Sequence, residues 1–392
     1  MHIVHVTPFY YPAWAYGGIP RVVYEVSRRQ VRMGHEVTVI TTDVYDAKSR
    51  VVVDASPVSI EGVRTFYVRN FSNRLAYSMQ VFLPAALPDE AVEQLRRADV
   101  VHMHGHRHLL NHLAFRHVAR WRIPYVFSGH GTTLRIETKL LVKRVYDRVL
   151  GDRLLRGAAA YLAVSEAERQ QYVRAGLRET KIHVIHNGVP LDEFRDLPPR
   201  GEFRDQYGIG AEARVVLFLG KITPRKGVEF LIQAFSRLNR KDAVLVVAGN
   251  VVGGAAGALG KLAAGLGVEE RVIFTGLLTG RARIAAYRDA DVTVYASTLE
   301  VFGLVPFESL MCGTPVIVGD DCGSCEILSR AGTGDPVEYG NAIELADVME
   351  RVLGDRHRAK LAVDRGRRFI EKELSWETLV PRHIEVYKSV AR

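Results

Sequence analysis

The run VTVYASTLEVFGLVPFESLMCGTPVIV, residues 292–318, decides the fold. It opens on a strand pattern, Val292–Tyr295, and closes on another, Pro315–Val318. Between them lies a loop that carries Glu300 and then a helix, with Pro306 near its start and Glu308 in its first turn. A strand, a crossover helix and a second strand form the unit of a parallel sheet, because parallel neighbours cannot be joined by a tight turn.

The same rhythm runs outward in both directions. Downstream of residue 200, strands are expected at Val215–Leu219, Ala243–Ala248 and Val272–Phe274, with helices at Ala342–Leu353, Arg356–Lys372 and Trp376–Val390. Upstream, strands are expected at Ile3–Thr7, Glu36–Thr42, Val51–Ser56, Gly62–Arg69, Asp99–Met103, Tyr125–Ser128, Ala159–Val164 and Lys181–Ile185. Helices are expected at Gly18–Met33, His108–Arg120, about Lys139–Arg156 and Glu166–Ala175. Asn187–Arg200, with Asn187-Gly188, Pro190 and Pro198-Pro199, breaks the rhythm and reads as a linker. The expectation is an α/β protein of two tandem doubly wound, Rossmann-like domains facing each other across a cleft. Residues 1–198 with 374–392 would form the first, and 199–373 the second. Ligands of such sheets bind at the carboxyl ends of the strands.

Length and composition agree. The 392 residues are 47% hydrophobic and 25% charged, which excludes wholesale disorder, a collagen-like fibre and a coiled coil. Three cysteines, Cys312, Cys322 and Cys325, are too few for a disulfide scaffold. The N-terminus shows no basic region of a signal peptide. The uncharged run Ala243 to Gly260 contains five glycines and Asn250 and reads as a buried strand entering a glycine-rich loop rather than a membrane span. A cytoplasmic protein is expected. The net charge of +9 lies wholly in residues 1–200, which also hold twelve of the 14 histidines.

Four clusters stand at expected strand ends. Gly17-Gly18 precedes the first helix, where bare backbone and a helix N-terminus suit phosphate, or simply a turn. Gly220-Lys221-Ile222-Thr223-Pro224-Arg225-Lys226-Gly227 places three cations beside a helix start and suits a pyrophosphate, or a solvated turn. Glu300 and Glu308 flank the amides of Phe302, Gly303 and Leu304; a carboxylate there can accept from two sugar hydroxyls. Gly129-His130-Gly131-Thr132 suits contact with a ligand hydroxyl.

Together these residues resemble the retaining glycosyltransferases of family 4, which have the GT-B fold. The resemblance covers nearly the whole chain. It includes GGIPRVVYEVSRRQVRMGHEVTVIT (17–41), AVSEAERQQY (163–172), VIHNGV (184–189), LFLGKITPRKGVEFLIQAF (217–235), the acids with seven residues between them in STLEVFGLVPFESLMCGTPVI (297–317), and SWETLVPRHIEVYKSV (375–390). It implies a hexosyl- or N-acetylhexosaminyltransferase that uses a UDP- or GDP-sugar and retains the anomeric configuration. The second domain would bind the donor and the first the acceptor, a glycan or polyprenyl-linked lipid. Glu308 would hold the donor ribose, and Glu300 the sugar beside the amides of Phe302, Gly303 and Leu304. Lys226 and Gly18 would meet the diphosphate, His130 the transferred sugar, and Leu278 the base. No metal or other cofactor is implied. The last helix would cross back to the first domain.

Two departures matter. Lys221 stands where the family usually has arginine, so the charge stays but the two-pronged grip is lost, with Arg225 close by as a substitute. In DDCGSCEIL (320–328) the usual glycine pair is Gly323-Ser324, a loop expected near the donor sugar.

Other signals have plainer readings. His102, His104, His106 and His108 alternate like a metal ladder, but the strand should end near Gly105. Cys322-x-x-Cys325 lacks the second pair of a zinc site. His108, His112, Arg116 and Arg120 share one helix face, and Lys139, Lys143, Arg144, Arg148, Arg153 and Arg156 add charge beyond it. That is a solvated face, or a surface for an anionic membrane leaflet. Two alternatives remain: a sugar-nucleotide epimerase or hydrolase of the same fold, and a nucleic-acid-binding protein. The second would leave the donor constellation unexplained, and no nucleic-acid partner is expected.

Overall fold

The structure is a computed structural model that describes residues 1–53, 56–133, 144–250 and 255–392. The chain divides into two compact units, Met1–Gly188 with Trp376–Arg392, and Val189–Ser375.

The first unit is built on an eight-stranded sheet. Its strands are β1 (His2–Val6), β2 (Glu36–Thr42), β3 (Val58–Ile60), β4 (Val63–Val68), β5 (Val100–His104), β6 (Tyr125–Ser128), β7 (Ala160–Ala163) and β8 (Ile182–Val184), in the order β3-β4-β2-β1-β5-β6-β7-β8. All pair in parallel except the β3–β4 edge. β1, β5, β6 and β7 are buried along their whole length, as strands covered by helices on both faces must be. The last helix, Trp376–Val390, belongs to this unit. Leu379, Ile384 and Tyr387 pack with Ile3, Val100, Val126 and Leu162, and Trp376 and Val380 pack with Val22 and Val26. Each such aliphatic side chain contributes about 1.5–3 kcal/mol when fully buried.

The second unit carries β9 (Arg214–Leu219), β10 (Ala243–Ala248), β11 (Val272–Gly276), β12 (Val292–Tyr295), β13 (Val316–Gly319) and β14 (Asp335–Val337), all parallel in the order β11-β10-β9-β12-β13-β14. In both sheets the order reverses beside the first strand, between β1 and β5 and between β9 and β12. Such switch points open a crevice at the strand carboxyl ends.

Some expectations fail. No strand forms at Val51–Val53 or Ser56, and residues 54–55 lie outside the described set. Val52 is 88% exposed, and β-branched residues favour a strand only where a packed face receives them. The antiparallel β3 lies just beyond. Residues 189–198 fall in the second unit, where Phe194 is buried and Glu193 pairs with Arg283. Part of the expected glycine-rich loop, 251–254, is outside the described residues, and Gly257 and Gly260 lie in the helix Ala255–Gly265. No helix among the described residues is long and apolar enough to cross a membrane.

Candidate functional site

In the second unit the clusters converge at the switch point. β9 runs into Gly220 and a tight turn, Pro224–Lys226, before the helix Val228–Ser236. β12 ends at Tyr295 and enters the Glu300 loop. The Thr298 amide donates to the Arg225 carbonyl at 3.0 Å, which ties the two loops together. Lys226 Nζ lies 2.5 Å from Glu300 Oε2 and 2.5 Å from the Tyr295 hydroxyl, over the Tyr295 ring.

The charges of this trio are mutually fixed. Burial works against the Lys226 ammonium, but Tyr295 and Glu300 raise its pKa above the usual lysine range. Burial also opposes ionisation of Glu300, yet Lys226 holds it below the ordinary carboxylate value. Burial and then Glu300 push the Tyr295 hydroxyl up. The result is a cation, an anion and a neutral phenol in hydrogen-bond contact. Lys221 is exposed, and partial desolvation draws its ammonium down.

Gly303 has φ +75°, and a Cβ there would stand 2.7 Å from the Tyr295 ring, so the loop can approach Tyr295 only as glycine. Buried Phe302 stacks on Phe307 at 4.9 Å. Leu304 caps the helix Val305–Met311, with Pro306 in its first turn. Glu308 on that helix is buried. It accepts from Arg283 Nη1 at 2.5 Å and from the Tyr287 hydroxyl at 3.0 Å. Arg283 also donates to Glu193 at 2.5 Å. Arg283 and Tyr287 sit four apart on the helix Gly280–Asp289, so they share a face. Leu278, just before that helix, is buried.

The Gly323 amide donates to the Glu300 carbonyl at 2.8 Å, and Thr298 Oγ1 lies 2.5 Å from Asp321. Gly323 and Ser324 do not form the expected loop but open the helix Gly323–Arg330, and the Gly323 amide ties that helix start to the Glu300 loop. Cys312, Cys322 and Cys325 are free and buried. Burial pushes the Cys322 thiol up to about 11 and that of Cys312 up to about 12, so neither offers a thiolate.

In the first unit, Gly17 and Gly18 open the helix Gly18–Arg32 with no side-chain cap. Gly17 has φ +104°, and a Cβ at either glycine would meet nothing within 4 Å, so the helix start has bare, uncrowded backbone. His130 follows β6 with φ +51°. Its loop is held from both sides. The Gly129 amide donates to the Tyr172 hydroxyl at 2.6 Å, and the Gly131 amide to Glu168 at 2.6 Å. Glu168 is buried and also accepts from the Val164 amide at 2.8 Å. Burial pushes its carboxyl up to about 7 despite these donors.

The histidine ladder does not form one row. His106 and the Arg107 guanidinium both contact Asp147, and His108 is buried, so it does not share the solvent face of Arg116 and Arg120. His102 and His104 instead meet His5, with ring nitrogens within 4.8 Å of one another, a group that could hold a metal. Those nitrogens already have partners. His102 contacts Tyr387 and Ser128, and His5 contacts Gln30 and His104. The basic segment is less regular than a single helix: Asp147–Gly151 is a π turn leading into the helix Asp152–Arg156. Arg144, Val145, Arg148 and Val149 are exposed along it. Lys139 and Lys143 lie outside the described residues.

Sequence reasoning missed Tyr295, Arg283, Tyr287 and His5. Tyr295 and Arg283 had a usable signal. Tyr295 ends the strand that feeds the acid loop, and Arg283 interrupts the buried face of an otherwise apolar turn. His5 stood mid-strand with no partner in view.

Comparison with known proteins bears on this geometry. Residues 16–193 match the family model described as Glycosyltransferase Family 4, and residues 199–369 match Glycosyl transferases group 1. An uncharacterized glycosyltransferase of Methanocaldococcus jannaschii is 30% identical over 99% of this chain and 98% of its own. A D-inositol 3-phosphate glycosyltransferase of Xylanimonas cellulosilytica is 30% identical over 99% of this chain and 96% of its own. Among solved structures, Anabaena HepE in complex with UDP superposes with a TM-score of 0.76 at 18% identity, covering 99% of this chain and 100% of that one. HepE is also solved in complex with UDP-glucose.

Proposed function

The chain belongs to the group 1 glycosyltransferases of GT-B fold, and on that premise we propose that it transfers a hexosyl or N-acetylhexosaminyl group with retention of configuration. The donor is a UDP- or GDP-sugar, and UDP is supported by the HepE complexes. The acceptor is a glycan or polyprenyl-linked lipid. The inositol phosphate glycosyltransferase relatives support a second class, a phosphorylated cyclitol.

One observation carries this reading: the Lys226–Glu300–Tyr295 trio at the switch point of the second sheet. A diphosphate entering there competes with Glu300 for the Lys226 ammonium. Lys226 turns to the phosphate, and Glu300 is released to accept from a sugar hydroxyl. As the anomeric C–O bond breaks, negative charge grows on the leaving diphosphate. Lys226, Lys221, Arg225 and the amides near Gly303 stabilise it, and pre-aimed donors of this kind supply the largest share of such rate enhancements. The acceptor hydroxyl attacks from the leaving-group face, and the departing phosphate takes its proton. Glu308 holds the ribose, Leu278 lies by the base, Gly220 and Gly17-Gly18 leave room for the diphosphate, and His130 meets the sugar. No metal takes part. The exposed Arg116, Arg120, Arg144 and Arg148, with Val145 and Val149, form a peripheral contact for the anionic inner face of a membrane.

The test is transfer of radiolabelled sugar from UDP- and GDP-sugars to polyprenyl phosphate sugars, oligosaccharides and inositol phosphate, with and without EDTA. Labelled product of unchanged anomeric configuration, insensitive to EDTA, is expected. Donor breakdown or epimerisation with no acceptor product would point to the hydrolase or epimerase instead.

A further inference from the structure

His130 is joined to the interior of the first unit by a line of hydrogen bonds. Its Nε2 lies 3.1 Å from His104 Nδ1. His104 Nε2 lies 3.0 Å from His5 Nδ1, and His5 Nε2 lies 2.8 Å from Gln30 Oε1. Gln30, His5 and His104 are buried, whereas His130 is only half-buried.

Proton positions along this line are not independent. A neutral imidazole has one N–H and one lone pair, and an amide oxygen only accepts. With the Gln30 amide turned so that Oε1 faces His5, the His5 Nε2–H donates to it, which leaves its Nδ1 to accept from His104 Nε2–H. His104 Nδ1 in turn accepts from His130 Nε2–H. One orientation, that of the Gln30 amide, sets all three rings. The rings are neutral: burial holds His5 and His130 down to about 4 and lowers His104 well below its ordinary value.

We propose that Gln30, His5 and His104 are positioning residues that lock His130 as the Nε2–H tautomer, so that its Nδ1 lone pair accepts a hydrogen bond from a hydroxyl of the transferred sugar. The inference rests on the reading that His130 meets that sugar. Its loop supports it, since Glu168 and Tyr172 fix the flanking backbone and the line fixes the ring. An outward lone pair suits the chemistry. As the sugar becomes oxocarbenium-like, a neutral acceptor beside it gains favourable interaction, whereas an N–H dipole aimed at the same place would repel positive charge. The arrangement also selects for a donor sugar that carries a hydroxyl at this point.

The proposal is tested by the 15N spectrum of histidine-labelled protein at pH 8, with the His130 signals assigned through their loss in His130→Ala. The expected result is a protonated Nε2 and a bare Nδ1 in the unaltered protein. In His104→Leu and Gln30→Leu the two nitrogens should move towards the averaged values of a tautomer mixture. Turnover should fall about 10- to 100-fold, the range for losing a group that orients a functional imidazole, with donor KM little changed. His104→Gln, which can still accept from Nε2–H, should recover most of both. A protonated Nδ1 in the unaltered protein overturns the proposal, and so does an unmoved tautomer in both leucine variants. Stoichiometric bound metal at His5, His102 and His104 would overturn it too. The first result needs no variant to fold. If His130→Ala transfers sugar at the full rate, the sugar-contact reading falls separately, whatever the tautomer.

Discussion

Replacing Glu308 by alanine reaches further than a donor contact. From sequence alone Glu308 is a helix-start acid, and its loss should weaken donor binding by about 1.5–3 kcal/mol, the value of a charged hydrogen bond. The structure adds a structural cost. Glu308 is 3% exposed and Arg283 is 6% exposed, and they meet at 2.5 Å with Tyr287 on the second carboxylate oxygen. Removing the acid leaves a buried guanidinium without its one buried countercharge, since Glu193, at the same 2.5 Å, is partly exposed. Breaking a buried pair from one side typically costs about 3–5 kcal/mol. Glu193 remains on Arg283, but it is partly exposed and weaker, so we place the loss near the lower end, about 3 kcal/mol. At about 2–4 °C per kcal/mol for a domain of this size, the second unit of Glu308→Ala should melt roughly 6–12 °C lower.

The assay is thermal unfolding followed by circular dichroism, beside donor calorimetry at 10 °C where the variant is folded. Glu308→Ala combined with Arg283→Met should recover part of the melting temperature, because the stranded charge is gone, without recovering donor affinity. That separates the structural role from the ribose role. A melting temperature within a degree of the unaltered protein would refute the buried-pair argument. Unchanged donor affinity would refute the ribose assignment.

Lys226→Ala should lose about 100- to 1000-fold in turnover, as removal of a charge-stabilising donor typically does; an unchanged kcat would reduce the trio to a structural ion pair. Acid should destabilise the first unit. His5, His130 and His383 sit near 4 when folded against 6.5 in a free chain, and His108 near 3. Their folded values are depressed, so the stability they provide is present above pH 6.5 and fades as pH falls towards 4. Glu168, raised to about 7, acts in the opposite sense but is one group against several. A melting temperature unchanged between pH 7 and pH 5 would contradict this. Binding to anionic vesicles should exceed binding to neutral ones and fade with salt, because basic residues near the surface contribute roughly 1 kcal/mol each and are screened. Replacing Arg116, Arg120, Arg144 and Arg148 by serine should abolish it, and equal binding by this variant would leave them a solvated face.

The alternation of strand and helix was legible because parallel strands buried on both faces need continuous apolar runs, and these stand out in any window. Val292–Tyr295 and Ala243–Ala248 coincide with β12 and β10. The errors fall where burial and pattern part company. Val51–Val53 has the composition of a strand without a face to bury, and Asp335–Val337 forms β14 with a proline inside it, at a sheet edge where a missing donor is tolerated. In the site, Lys226, Glu300, Glu308 and His130 were legible as residues at strand ends. Their partners were not, because a hydrogen bond between positions 74 or 99 residues apart leaves no local trace. Helix faces misled for the same reason. Spacing puts His108 with Arg116 and Arg120, but His108 precedes the helix Leu109–Trp121 in an extended conformation and turns inward.

The two units solve one physical problem in different ways. Polar groups at the carboxyl ends of central strands are needed for chemistry, yet the surrounding core penalises bare charge. The second unit answers with compensation. Lys226 is set against Glu300, and Arg283 against Glu308 and Glu193. The first unit answers with neutrality, in rings that share protons along hydrogen bonds and stay uncharged because burial opposes protonation. The difference matters for the proposed reaction, which would bring in a diphosphate and develop positive charge on a sugar. A paired lysine can be recruited by the incoming anion, since the phosphate replaces the carboxylate it displaces. A neutral imidazole costs nothing to leave in place and does not repel the cationic sugar. Exchanging the two devices should fail in a predictable direction. If His130 meets the sugar as proposed, lysine in its place would put a cation where positive charge develops, and histidine in place of Lys226 would supply too little charge above pH 7. If His130→Lys kept the turnover of the unaltered protein, the two units would not divide the electrostatic labour in this way.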